Sequence, residues 1–144
     1  MGKPIGVLID TDVLLDLLLD RENFGDQAAA ILSLCEQGKL KGYLTPVIFA
    51  NLFYFLEKSG SKELAIVKSE ALLRFLDAIP ISKKAILNAL ISKIGDKEEA
   101  LQSFAALEYG NIFALITRNV KDYKQSALPA FSPLQFLAQL EETN

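Results

Sequence analysis

Three acidic residues stand where carboxylates can do chemistry. Asp10 follows the apolar run Gly6-Val7-Leu8-Ile9, and Asp122 ends the polar segment Thr117-Arg118-Asn119-Val120-Lys121-Asp122. Glu99 falls in the first turn of a helical segment that starts at Asp96. Asp12 and Asp96 lie close by in sequence. Two unit charges about 4 Å apart cost roughly 1 kcal/mol in water and roughly 4 kcal/mol at an effective dielectric of about 20. A cluster of three carboxylates is therefore unstable unless one is protonated or a cation binds. Oxygen-only ligands select Mg²⁺ or Mn²⁺ over zinc or copper. Such a cation polarises a phosphoryl oxygen and lowers the pKa of a bound water, which suits phosphodiester hydrolysis.

The rest of the composition narrows the chemistry further. There is no histidine and one cysteine, Cys35. That excludes Ser-His-Asp triads, imidazole acid–base catalysis and a tetrahedral zinc site. It also excludes an intrachain disulfide, and Cys35 sits in an apolar helical run, where packing is the simpler reading. The net charge of −3 gives no general attraction to nucleic acid, so any RNA contact must come from a local basic patch or a metal. With 144 residues, 51% of them hydrophobic and 23% charged, the chain reads as one globular domain over residues 1–144. No apolar stretch is long enough for a membrane span, and the N-terminus lacks the pattern of a signal segment. The expectation is a cytoplasmic protein.

The elements that must position these acids alternate. Gly6 to Ile9 reads as a buried strand, Thr11 to Leu19 as a leucine-rich helix, and Asp26 to Gln37 as a second helix stopped by Gly38. Leu40 to Leu44 is a second strand. Thr45-Pro46 then caps and opens a helix to about Lys58. That helix is apolar nearly all round, which predicts burial on more than one side and suggests a homodimer. Ser61 caps a helix expected to reach about Asp77, and Ala78 to Ile81 is a third strand. Ser82 caps a short helix to about Ser92, and the helix from Asp96 ends at Gly110. Ile112 to Ile116 is a fourth strand, Ala130-Phe131 a short fifth, and Ser132-Pro133 opens the last helix. Strands separated by helices predict an α/β fold, a parallel sheet with helices on both faces. Sites in such sheets form at the carboxyl ends of strands, where the strand order reverses. Helices run antiparallel to the strands, so the first turn at Glu99 shares that edge with Asp10 and Asp122.

Each acid also has a plain structural reading. Asp12 can cap the first helix, and Asp96 with Glu99 has the spacing of a capping box. Asp122 can be solvated surface. Asp16, Asp20, Glu22 and Asp26 read as solvated faces. Asp10 is harder to dismiss, because it ends a buried strand.

Three segments together resemble one family. Val7-Leu8-Ile9-Asp10-Thr11-Asp12-Val13-Leu14-Leu15-Asp16 resembles the opening motif of PIN domains. Asp96-Lys97-Glu98-Glu99-Ala100-Leu101-Gln102 resembles the segment with their third acid, usually aspartate, and Ile116 to Tyr123 the segment with their fourth. The order and spacing match over nearly the whole chain. The resemblance implies a single PIN-like domain with a parallel sheet of about five strands. It implies a Mg²⁺- or Mn²⁺-dependent endoribonuclease acting on RNA. Bacterial single-domain members are often dimeric toxins of VapBC type, inhibited by an antitoxin partner. Carried over, Asp10, Glu99 and Asp122 would hold the metal. Asp12, Asn51, Asp96, Thr117 and Asn119 would be accessory, and Arg118 and Lys121, with Lys124 nearby, would hold RNA phosphates. One position departs: Asn51 stands where the family usually places a glutamate, as in a subgroup with asparagine there. A neutral amide in place of a charge should weaken metal binding.

Other readings compete with this one. Asp10-Thr11-Asp12 has the Asp-x-Asp form of haloacid-dehalogenase-like phosphatases, but Val13-Leu14-Leu15 replaces their glycine-containing turn. A receiver-type signalling domain needs an aspartate ending the third strand, and Ile79-Pro80-Ile81-Ser82 offers none. A catalytically degenerate PIN domain would bind RNA or protein without cleaving.

Overall fold

Asp10 is placed by a strand that has no polar face. The computed structural model describes residues 3–143, and its first strand, β1, spans Ile5–Ile9. Neighbouring side chains on a strand point to opposite faces, yet Val7, Leu8 and Ile9 are all buried. Both faces of the sheet are therefore covered here, as a parallel sheet requires. The helices α1 (Thr11–Leu18) and α2 (Gly25–Glu36) follow, then β2 (Leu40–Leu44) and α3 (Pro46–Ser59). Next come α4 (Lys62–Leu73), β3 (Leu76–Ala78), α5 (Lys83–Ile91), α6 (Lys97–Tyr109) and β4 (Ile112–Ile116). A 3₁₀ turn at Val120–Tyr123, β5 (Ala130–Phe131) and α7 (Pro133–Thr143) close the chain.

All strand pairs are parallel, in the order β3-β2-β1-β4-β5. The chain builds outward from β1 to β3, then returns to the other side of β1 with β4. The reversal lies between β1 and β4, so the residues following those strands, Asp10 and Thr117, meet at the switch point. The Asp10 N–H donates to the Ile116 carbonyl at 2.9 Å, extending the ladder into the site. This order also differs from the receiver order 2-1-3-4-5.

Side-chain caps set several helix starts. Thr45, Ser61, Ser82 and Asp96 each accept from the backbone N–H three residues on. Ser132 and Gln135 cap one another's backbone at the start of α7, at 3.1 and 2.9 Å. Gly38, with φ of 77°, takes the left-handed position after α2.

Three expectations are corrected. Helix α4 stops at Leu73, and the third strand is Leu76–Ala78 rather than Ala78 to Ile81. The Ile79 N–H still donates to the Leu44 carbonyl, but Pro80 has no N–H with which to continue. Helix α3 buries one stripe, Ile48, Leu52 and Leu56, whereas Tyr54 and Phe55 on its other side are 54% and 45% exposed. Asp16 is not a solvated residue: it is 1% exposed.

The main core joins β1, β2, β3 and β4 to α1, α2, α3, α4, α6 and α7. A second, smaller cluster of Ala89, Ile94 and Ala100, with Leu101 and Phe104 against it, lies between α5 and α6. Among the described residues, no helix is long and apolar enough to cross a membrane.

Candidate functional site

Asp10 is held from three sides. Its Oδ1 accepts from the Thr11 N–H at 2.8 Å, capping α1. Its Oδ2 accepts from the Thr117 hydroxyl at 3.0 Å and from the Tyr123 hydroxyl at 3.3 Å. Thr117 is fully buried at the end of β4, and Tyr123 is buried in the 3₁₀ turn. Burial nonetheless raises the Asp10 pKa above the ordinary carboxylate value, outweighing these donors.

Asp12 lies in the first turn of α1, where its Oδ2 accepts from the Arg118 N–H at 3.0 Å. Its Oδ1 is buried without a hydrogen-bond partner. Desolvation and the neighbouring Asp10 charge push its pKa up to about 6.

Glu99 comes from the opposite wall. Asp96 caps α6 by accepting from the Glu99 N–H at 3.1 Å, so half of the expected capping box is present. The Glu99 side chain turns to the site instead, where its Oε2 is buried without a partner. Burial, then the charges of Asp96, Asp122 and Asp10, push its pKa up to about 8. A carboxylate held this high marks a place where negative charge has been gathered without compensation.

These residues line one pocket of about 450 Å³ with Asp96, Asn51 and Asn119. Asp122 lines the neighbouring groove, with Arg118 and Lys121, although its charge reaches Glu99. Asn51 donates to Glu98 Oε1 at 2.6 Å, a side-chain partner on α6 rather than a nearby backbone group. Gln102 also lines the pocket and is tied to buried Thr45 by a 2.5 Å hydrogen bond.

The sequence reading missed how Asp16 works. Its two oxygens take Arg118 Nε and Nη2 at 2.7 and 3.1 Å, and Arg21 Nη1 approaches at 3.4 Å. The Arg118 guanidinium also lies 4.1 Å from the centre of the Phe24 ring. Arg118 is thus engaged within the fold, while Lys121 and Lys124 are exposed.

The donor set is oxygen-only and suits a hard cation, and two of its oxygens are buried and unsatisfied. Among the described residues, no group of three or more acidic or cysteine side chains is arranged to hold a metal ion as it stands.

A family model described as PIN domain matches residues 6–121. The chain belongs to the PIN domain family. No curated protein matches it. This PIN domain has the fold of several solved structures. One is VapBC2 from Rickettsia felis bound to a DNA fragment from its promoter, with 20% identity and a TM-score of 0.68, covering 88% of this chain and 98% of that one. VapBC-1 from nontypeable Haemophilus influenzae gives 18% identity and a TM-score of 0.65, covering 90% and 98%. VapC20 of Mycobacterium tuberculosis, a sarcin-ricin loop cleaving toxin, gives 12% and 0.59, covering 76% and 86%. At these identities the likeness establishes the fold.

Proposed function

We propose that this PIN domain is a metal-dependent endoribonuclease, the toxin of a toxin–antitoxin pair. The observation that carries the reading is the pair of buried, unpartnered carboxylate oxygens, Asp12 Oδ1 and Glu99 Oε2, on two residues that line the same acidic pocket. Leaving such atoms unsatisfied costs about 1–3 kcal/mol each, more for charged groups. A protein retains that arrangement where a ligand satisfies it. Membership of the PIN family and the shared fold with VapBC toxin structures support the same reading.

Asp10, Glu99 and Asp122 would hold Mg²⁺ or Mn²⁺, with Asp12 and Asn51 beside them. When bound, the ion supplies Lewis-acid polarisation of a phosphoryl oxygen and an acidified water. The chain's own residues do the rest. Thr117 and Tyr123 fix the orientation of Asp10, and the Arg118 N–H fixes Asp12. Without the ion, burial and the neighbouring carboxylates push the Glu99 pKa up to about 8, so that ion binding would release this proton.

A second reading has a specific observation in its favour. Asn51 donates its amide N–H to Glu98 and carries no charge, so the position that the resemblance expects to supply an acid offers none. On that reading the domain binds RNA or protein without cleaving. Isothermal titration with Mn²⁺ decides between the two. The ribonuclease reading expects uptake by the wild type that the Asp10→Asn/Asp122→Asn double variant loses. Absence of binding at millimolar Mn²⁺ would overturn it in favour of the binding module.

A further inference from the structure

An acidic pocket repels a polyanionic substrate, and the net charge of −3 does nothing to offset this. Some cation must meet the substrate there. Among the described residues that line the pocket, Arg21 is the one lysine or arginine. Its side chain is 39% exposed. Its ion-pair partner is Asp16 Oδ1, at a long 3.4 Å. Asp16 is already held at both oxygens by Arg118. The single negative charge of Asp16 is thus matched before Arg21 is counted, and the positive charge of Arg21 is left over.

The stem of Arg21 starts from a fixed turn. Its N–H donates to the Asp16 carbonyl at 3.0 Å, and its own carbonyl accepts from Phe24 at 3.2 Å and Gly25 at 2.7 Å. The other candidates face elsewhere: the Arg118 guanidinium is engaged by Asp16 and the Phe24 ring, and both Arg118 and Lys121 line the neighbouring groove. A guanidinium also presents a planar fork of donors that matches two phosphate oxygens at once.

We infer that Arg21 binds a phosphate of the RNA strand as it crosses the acidic pocket; this rests on the ribonuclease reading. Asp16 aims Arg21 without quenching it, because Arg118 has taken up the Asp16 charge.

The test is fluorescence anisotropy of a short, labelled, mixed-sequence single-stranded RNA, titrated at several KCl concentrations with Ca²⁺ as the cation. Mn²⁺ titration runs in parallel. Arg21→Gln is expected to weaken RNA binding about tenfold at low salt. It should lower the slope of log K against log salt by about 0.7, the share of one single-strand phosphate. Arg21→Lys should keep most of the slope, because it keeps the charge. Mn²⁺ uptake should be unchanged in both. An Arg21→Gln protein with wild-type affinity and slope overturns the inference alone. So does one that loses Mn²⁺ uptake, since Arg21 would then be supporting the carboxylates. A wild type that binds neither Mn²⁺ nor this RNA overturns the ribonuclease reading, and the inference with it.

Discussion

Arg118 grips Asp16 at both carboxylate oxygens, 2.7 and 3.1 Å away, while its own backbone N–H holds Asp12 at 3.0 Å. One residue thus ties the turn after β4 to two places on α1. Removing one partner of a buried pair typically costs about 3–5 kcal/mol. The Arg118 side chain is 30% exposed and can partly rehydrate, so Asp16→Ala is expected to cost about 2 kcal/mol. Urea unfolding measures this. Arg118→Lys keeps the charge but not the fork, and should weaken Mn²⁺ uptake through the loosened turn at Asp12.

The raised pKa values set a direction for pH. Glu99 moves from 4.5 to about 8 on folding, and Asp12 from 3.8 to about 6. Between those values the folded state holds protons that the unfolded state has lost, so stability falls as pH rises. The metal-free protein should melt at progressively lower temperature from about pH 5 to about pH 8. Glu99→Gln should flatten the upper part of that decline. Mn²⁺ should raise the melting temperature more at pH 8 than at pH 6, because its ligands are then deprotonated. A profile that rises over this range contradicts the burial assigned to Glu99.

Asp10→Asn and Asp122→Asn should each cut Mn²⁺-dependent RNA cleavage by at least about 100-fold. Asparagine caps helices about as well as aspartate, so Asp10→Asn should leave unfolding free energy within about 1 kcal/mol of wild type. Cleavage assays beside circular dichroism melts separate the two effects. Full metal-dependent cleavage by either variant would sink the site assignment.

Asn51→Asp introduces a charge where the resemblance to PIN domains implies an acid. It also sets two carboxylates together where Asn51 now donates to Glu98 at 2.6 Å. In EDTA the variant should lose about 1 kcal/mol of stability through repulsion. With Mn²⁺ the loss should reverse, and calorimetric affinity should exceed that of wild type. Unchanged affinity would place Asn51 outside the metal's reach.

Much of this was legible in the chain because it is local. Asp10 at a strand end, Glu99 in a first turn and Thr45-Pro46 at a helix start need only periodicity and cap chemistry to be placed. β2 and β4 carry the bounds that their apolar runs announce. What escaped depends on distant partners. Asp16 sits on α1 at a spacing that looks like a solvated face, and its partner is 102 positions away. Asn51 finds Glu98 across 47 positions. Arg21 carries no motif and becomes conspicuous only as the cation among the pocket's acids. β3 was displaced because Phe75-Leu76 continues a helical pattern, and only pairing with β2 pulls Leu76–Ala78 into the sheet.

The small cluster between α5 and α6 gives the two walls of the pocket different footings. Asp10 and Asp12 stand on the main core, whereas Glu99 stands next to Ala100, whose packing belongs to the side cluster with Ala89 and Ile94, and only the far half of α6, at Ala105 and Ala106, rests on the main core. Segments packed on separate cores open in separate steps. Amide hydrogen exchange should therefore release α5 before β1, and a cation joining Glu99 to Asp10 would act as a rivet between the two. Protection of α5 would then report on metal occupancy from a distance, without any chemistry being followed.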